Sequence, residues 1–231
     1  MMKTKKFSIL VLIAFAFSFA GVASAVEPAV PRLDGKLSPE KEQRIRELQG
    51  VDIQTAFVSL KSPEFFADED YFNKAVYLAF RDRTGETVNS ALQYVRSTQA
   101  QANPEGLRNL YLARRVFQVF PNAALDILLD IYTSGGPKVR KNVIYVLGQM
   151  AGGDVIRLLL IEALDDDTFC EDRLSETVGV PLRICDVAYN QLVVRYNVKG
   201  ALRTIGTVHS LEAREYHIEK LKDLLSRHLD L

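Results

Sequence analysis

The chain has 231 residues, 48% of them hydrophobic and 25% charged, and its 29 lysines and arginines are balanced by 29 aspartates and glutamates. That balance argues against a nucleic-acid binder, which is expected to be basic. The length suffices to bury a sizeable core, and one elongated domain fits it better than two globular ones.

At the N-terminus, Lys3, Lys5 and Lys6 precede an apolar run from Phe7 to Ala20, and Ala23-Ser24-Ala25 follows. This is the pattern of a secretory signal peptide cleaved after Ala25. The alternative is an uncleaved anchor, because the 20 residues from Phe7 to Val26 are just long enough to span a bilayer. Cleavage leaves 206 residues with 26 basic and 29 acidic side chains, a formal charge of minus 3. The mature protein is expected in the periplasm or outside the cell, with no stable membrane anchor. Residues 26–37, with two prolines and little periodicity, read as a flexible leader.

From residue 38 onward the periodicity is helical. Pro39, Pro63, Pro104, Pro121, Pro137 and Pro181 stand at or near the start of helical patterns, where proline is tolerated. Ser38 caps a helix that runs to Gln49, and Gly50 stops it. Ile53, Ala56, Phe57 and Leu60 mark a second helix, and the two form a first pair. Tyr71 to Phe80 and Thr87 to Val95, joined by a turn at 82–85, form the next. A helix opened by Asn103-Pro104 buries Leu110, Ala113, Val116, Phe117 and Phe120, and its partner carries Leu125, Leu128, Leu129 and Tyr132. Val139, Val143, Val146, Leu147 and Met150 fall on one helical face. Asp154 caps a helix so nearly apolar that packing on several sides is expected. Residues 202–208 give the one short β signal. Leu211 to Leu229 has an apolar stripe, acids early and bases late, an order that suits the helix dipole and a polar terminal cap.

Leu107-Arg108, Val139-Arg140 and Leu182-Arg183 each open an amphipathic stretch, at intervals of 32 and 43 residues. The longer interval holds an insertion of about 11 residues between Asp165 and Pro181. A fixed repeat of this kind implies stacked helix pairs. The motif from Val139 to Met150, followed by Gly152-Gly153-Asp154, together with Leu182 to Leu192 and a looser version at Leu107 to Phe117, resembles the bacterial HEAT-like repeat family of the short type also found in phycobilisome lyase subunits. The expected fold is all-α: a right-handed, armadillo-like α-solenoid of four to five antiparallel helix pairs over residues 38–231, best defined over 104–196, with a C-terminal capping helix. The resemblance implies a protein-binding or scaffolding surface. No lyase residue is identifiable.

Cys170 and Cys185 are the only cysteines, an even pair in a chain read as exported. A disulfide pinning the insertion is the leading reading; the alternative is one buried free thiol and one exposed. Their spacing excludes a CxxC motif, and without nearby histidine they make a poor zinc site. Asp165-Asp166-Asp167, Glu171 and Asp172 would suit a hard cation, but the spacing departs from an EF-hand and a solvated loop is the simpler reading. His209, His217 and His228 are too far apart to act as adjacent helical ligands. No catalytic motif and no cofactor-binding motif stands out.

Charge also segregates. The first helices of the repeats carry Arg108, Arg114, Arg115, Lys138, Arg140 and Lys141, while the second helices and their ends carry Asp126, Asp130, Glu162, Asp165, Asp166 and Asp167. The resemblance places second helices on the concave side, which implies an acidic groove for a basic protein partner. The competing reading is a ladder of arginine–aspartate pairs between repeats. The expected function is an exported protein-interaction or scaffolding module. The alternative is a periplasmic enzyme or accessory subunit using the groove or the 165–181 insertion.

Overall fold

The computed structural model describes residues 36–150, 153–171 and 179–228, so the expected signal peptide and most of the expected leader lie outside the described residues. Within them the protein is all-α, with helices α1 (Pro39–Gln49), α2 (Ile53–Leu60), α3 (Pro63–Ala67), α4 (Glu69–Phe80), α5 (Thr84–Arg96), α6 (Pro104–Val119), α7 (Pro121–Ser134), α8 (Pro137–Gln149), α9 (Asp154–Glu162), α10 (Ile184–Tyr196) and α11 (Leu211–His228). Single 3-10 turns, Arg81–Arg83 and Ala163–Asp165, follow α4 and α9.

Local chemistry fixes most of the helix starts. Proline occupies the first turn of α1, α3, α6, α7 and α8, where its missing N–H leaves no intrahelical bond unmade. Side-chain oxygens cap four helices: Ser38 accepts from the Lys41 amide at 3.3 Å, Asp52 from Thr55 at 3.0 Å, Asp68 from Tyr71 at 2.9 Å and Asn103 from Gly106 at 2.8 Å. Each satisfies an N–H that the helix itself leaves unpaired. At the other end of α8, Arg195 Nη1 donates to the carbonyls of Leu147 at 3.0 Å, Gly148 at 3.3 Å and Met150. A cation placed there complements the negative end of the helix dipole.

The helices pack in an ordered way. α4 lies against α1 and α6, α6 against α8, and α8 against α10, while α5 lies against α2 and α7. Helices two apart in the chain are therefore neighbours as well as those adjacent in it. The seam between α8 and α10 is especially close: a Cβ added at Gly148 would stand 2.6 Å from the Cβ of Gln191. Phe57, Phe72, Phe80, Leu110, Phe117, Leu128, Val143, Leu147, Tyr189 and Leu192 form one continuous buried core along these contacts.

Three local expectations need correction. α9 buries only Ile156 and Leu160, and Leu158 is exposed, so this apolar helix is packed chiefly along one side. Residues 202–208 run as irregular chain that ends in a turn at 207–208, and the one β-bridge among the described residues pairs Phe169 with Arg183. Because Arg183 belongs to that bridge, α10 begins at Ile184 with Arg183 as its N-cap instead of opening at Leu182.

Candidate functional site

The acids expected to line a groove divide into two groups. Asp126 and Asp130 on α7, Glu162 at the end of α9, and Asp167 are exposed. Asp165 is exposed too, but it and Asp166 face bases: Lys222 Nζ lies 2.8 Å from Asp165, and Arg140 Nη1 lies 2.5 Å from Asp166, which also accepts from the Tyr132 hydroxyl at 3.3 Å. Burial, followed by the charge of Asp166, pushes the Tyr132 phenol well above its usual range. Asp166 further fixes the chain locally by accepting from the Thr168 amide at 3.1 Å, while its own carbonyl accepts from the Cys185 amide at 2.9 Å. Pairing between helices thus accounts for these two positions, and Glu171 is likewise 2.7 Å from Lys141 Nζ. No cluster of three or more His, Cys, Asp or Glu side chains able to hold a metal ion occurs among the described residues.

The expected disulfide is absent, since Cys170 and Cys185 are both free and buried. The antiparallel bridge sets the two cysteines out of register. The Cys170 amide donates to the Leu182 carbonyl at 2.9 Å and the Ile184 amide to Thr168 at 3.0 Å, so Cys170 stands opposite Leu182, three residues short of Cys185. A disulfide requires facing residues with Cα atoms within about 7 Å. The Cys170 thiol donates to Leu182 O at 3.3 Å. Burial pushes both thiols up from the ordinary value of 9.0 to about 12, which keeps them protonated and poorly nucleophilic at neutral pH.

A buried ionic cluster holds the far side of the insertion. Asp186, in the first turn of α10, is fully buried and accepts from the Arg183 amide at 2.9 Å, Arg183 Nη2 at 3.0 Å and Arg214 Nη1 at 2.8 Å. Arg183 Nη1 also donates to Glu215. Burial disfavours the Arg183 cation, but its hydrogen bonds to Asp186 and Glu215 prevail and hold its pKa above the usual range. Arg214, also fully buried, donates through Nη2 to Val180 O at 2.5 Å, through Nη1 to Pro181 O at 2.9 Å and through Nε to His209 O at 3.1 Å. One side chain of α11 therefore ties residues 180–181 and α10 together. Two cations and two carboxylates balance, and each guanidinium nitrogen of Arg214 makes at least one hydrogen bond, so the cluster is built as a clamp.

Asp186 and Arg214 carried no functional signal in the sequence; an acid inside the apolar stretch from Ile184 to Leu192 was the one sign that a buried partner was needed. Arg114 and Arg115 appeared only as members of a charge pattern, yet they gather with Tyr111 and Glu69 where α4 meets α6. Among the described residues, no helix is long and apolar enough to cross a membrane. No protein-family model, curated protein or solved structure matches this chain, so its own residues must carry the functional reading.

Proposed function

We propose that the protein is an exported, right-handed α-solenoid of the HEAT-like type, built from four to five antiparallel helix pairs, and that it acts as a protein-interaction module. The observation that supports this reading most is the packing of helices two apart in the chain, α4 on α6, α6 on α8, α8 on α10 and α5 on α7. Stacked helix hairpins produce that pattern, and solenoids serve mainly as extended partner surfaces. The exposed acids Asp126, Asp130 and Glu162 lie on α7 and α9, the second helices of their pairs, and would present negative charge to a basic segment of a partner. Asp165 and Asp166 belong to the scaffold in this reading, since Lys222 and Arg140 engage them.

Affinity capture with the tagged protein from its own envelope fraction tests the proposal. A partner recovered by the wild-type protein is expected to be lost or weakened several-fold by Asp126→Lys with Asp130→Lys, since exposed charges act mainly through steering and long-range attraction. Unchanged capture by that double variant removes the acidic groove. The intact mass of the captured bait checks export, with a mature chain expected to begin at Val26.

A further inference from the structure

Arg114 and Arg115 are consecutive on α6, yet both turn toward the same aromatic surface. The ring of Tyr111 lies 4.5 Å from the guanidinium carbon of Arg114 and 5.0 Å from that of Arg115, and it stacks on Phe66 with centroids 4.7 Å apart. Arg115 is 2% exposed and donates to the Tyr111 hydroxyl oxygen through Nε at 3.0 Å and Nη2 at 2.5 Å. Its Nη1 is buried and ion-paired with Glu69, whose own side chain is 60% exposed. Arg114 Nη1 donates to Gln149 Oε1 at 2.6 Å, while its Nε is buried with no hydrogen-bond partner among the described residues. No carboxylate lies within ion-pairing distance of Arg114 among those residues.

Of these two partly desolvated guanidinium groups only Arg115 is ion-paired, and its acid reaches in from solvent. Burying cations without matching anions is costly, and burial together with the neighbouring Arg115 charge holds the Arg114 pKa below its usual value. The Tyr111 hydroxyl adds a third donor. Its oxygen already accepts two N–H groups, and no acceptor for its own proton occurs among the described residues. Two guanidinium groups beside one tyrosine ring, with that ring's hydroxyl, are donors of the kind that suit the two oxygens of a carboxylate. Glu69 indicates the direction from which such a group enters and the chemistry that Arg115 accepts.

We infer that Arg114, Arg115 and Tyr111 form a carboxylate-binding site that takes an acidic side chain of a peptide partner, with Glu69 occupying part of it until the partner displaces it. The inference rests on the partner-binding reading of the chain. It fails separately, because the acidic positions Asp126 and Asp130 belong to α7 whereas these residues belong to α4 and α6. Fluorescence polarisation with a labelled hexaglutamate peptide and the purified full chain provides the test. Saturable one-to-one binding is expected, weakened by added salt. Arg114→Gln should weaken it at least about tenfold with an unchanged unfolding midpoint, because a charge-assisted hydrogen bond is lost. Glu69→Gln should tighten it several-fold by removing the internal competitor. An affinity unchanged by either substitution overturns the assignment. So does inorganic phosphate competing as tightly as the peptide, which would mark a site for free oxyanions.

Discussion

Asp186 holds two guanidinium groups on one fully buried carboxylate, and its neutral isostere cannot do the same. Asp186→Asn keeps the volume but leaves Arg183 and Arg214 with one fewer charge to answer them. Removing one partner of a buried pair typically costs about 3–5 kcal/mol. The substitution is therefore expected to lower stability by that order in urea unfolding, whereas Glu215→Gln, at an exposed site, should cost much less. The thiols give a second residue-scale expectation. Cys170 and Cys185 stay protonated in the fold up to about pH 12 but ionise near 9 once the chain unfolds. The unfolded state loses its protons first, so stability is fully present below about pH 9 and is lost as pH rises toward 12. Urea midpoints measured across that window should fall for the wild type and fall less steeply for Cys170→Ala with Cys185→Ala. Iodoacetamide should label both thiols slowly until the chain is unfolded, which also checks that they are free.

At the scale of elements, Gly148 sets two helix-forming rules against each other. Replacing a helical glycine with alanine normally gains up to about 1 kcal/mol. Here the new methyl group would meet Gln191 Oε1 at 2.3 Å and, less avoidably, the Gln191 Cβ at 2.6 Å. The amide end of a glutamine can rotate away, but its Cβ moves only if α10 moves. Gly148→Ala is therefore expected to destabilise by about 1–3 kcal/mol as overpacking does. Gln191→Gly removes the clash at its own helix cost of about 1 kcal/mol, so the two substitutions together should cost less than the sum of each alone, and a double-mutant cycle by chemical denaturation measures that coupling. This seam also shows what the sequence reveals and what it hides. Local signals locate the helices well: Pro39, Pro104, Pro121 and Pro137 begin α1, α6, α7 and α8, and Asp52 and Asn103 cap α2 and α6. These signals act within one turn, so a single sequence carries them whole. The packing of Gly148 on Gln191 joins residues 43 positions apart, and no periodicity encodes it. The apolar composition of α9 misled for a related reason, since hydrophobicity records a preference for burial while neighbours decide how much is granted.

Across the whole molecule, the sites divide in the same way. The acids Asp126, Asp130 and Glu162 were legible as a pattern because their spacing follows the helices that carry them. The bases that neutralise Asp165 and Asp166 were harder to see, because Lys222 lies 57 residues from its partner and Arg140 lies 26 from its own. The disulfide expectation failed on register: two cysteines 15 positions apart suggest a bridge, but the Phe169–Arg183 pairing offsets them. What joins the C-terminal end of the molecule is the reach of α11. Arg214 binds Asp186, Val180 and Pro181, and Ile218, Leu221 and Leu225 are buried beside it. Deleting residues 210–231 would strip these partners from α10 at once. In a stack of helix pairs, each unit draws its stability from its nearest neighbours, so the damage should fade with distance along the chain. Amide exchange of the truncated protein is therefore expected to show lost protection in α10 and α9, weaker loss in α8, and little change in α4 and α5. A globular domain with one cooperative core would respond differently, losing protection everywhere together, α4 and α5 included. Uniform loss would thus count against the solenoid, and a graded loss that dies out before α5 is the outcome the helix packing calls for.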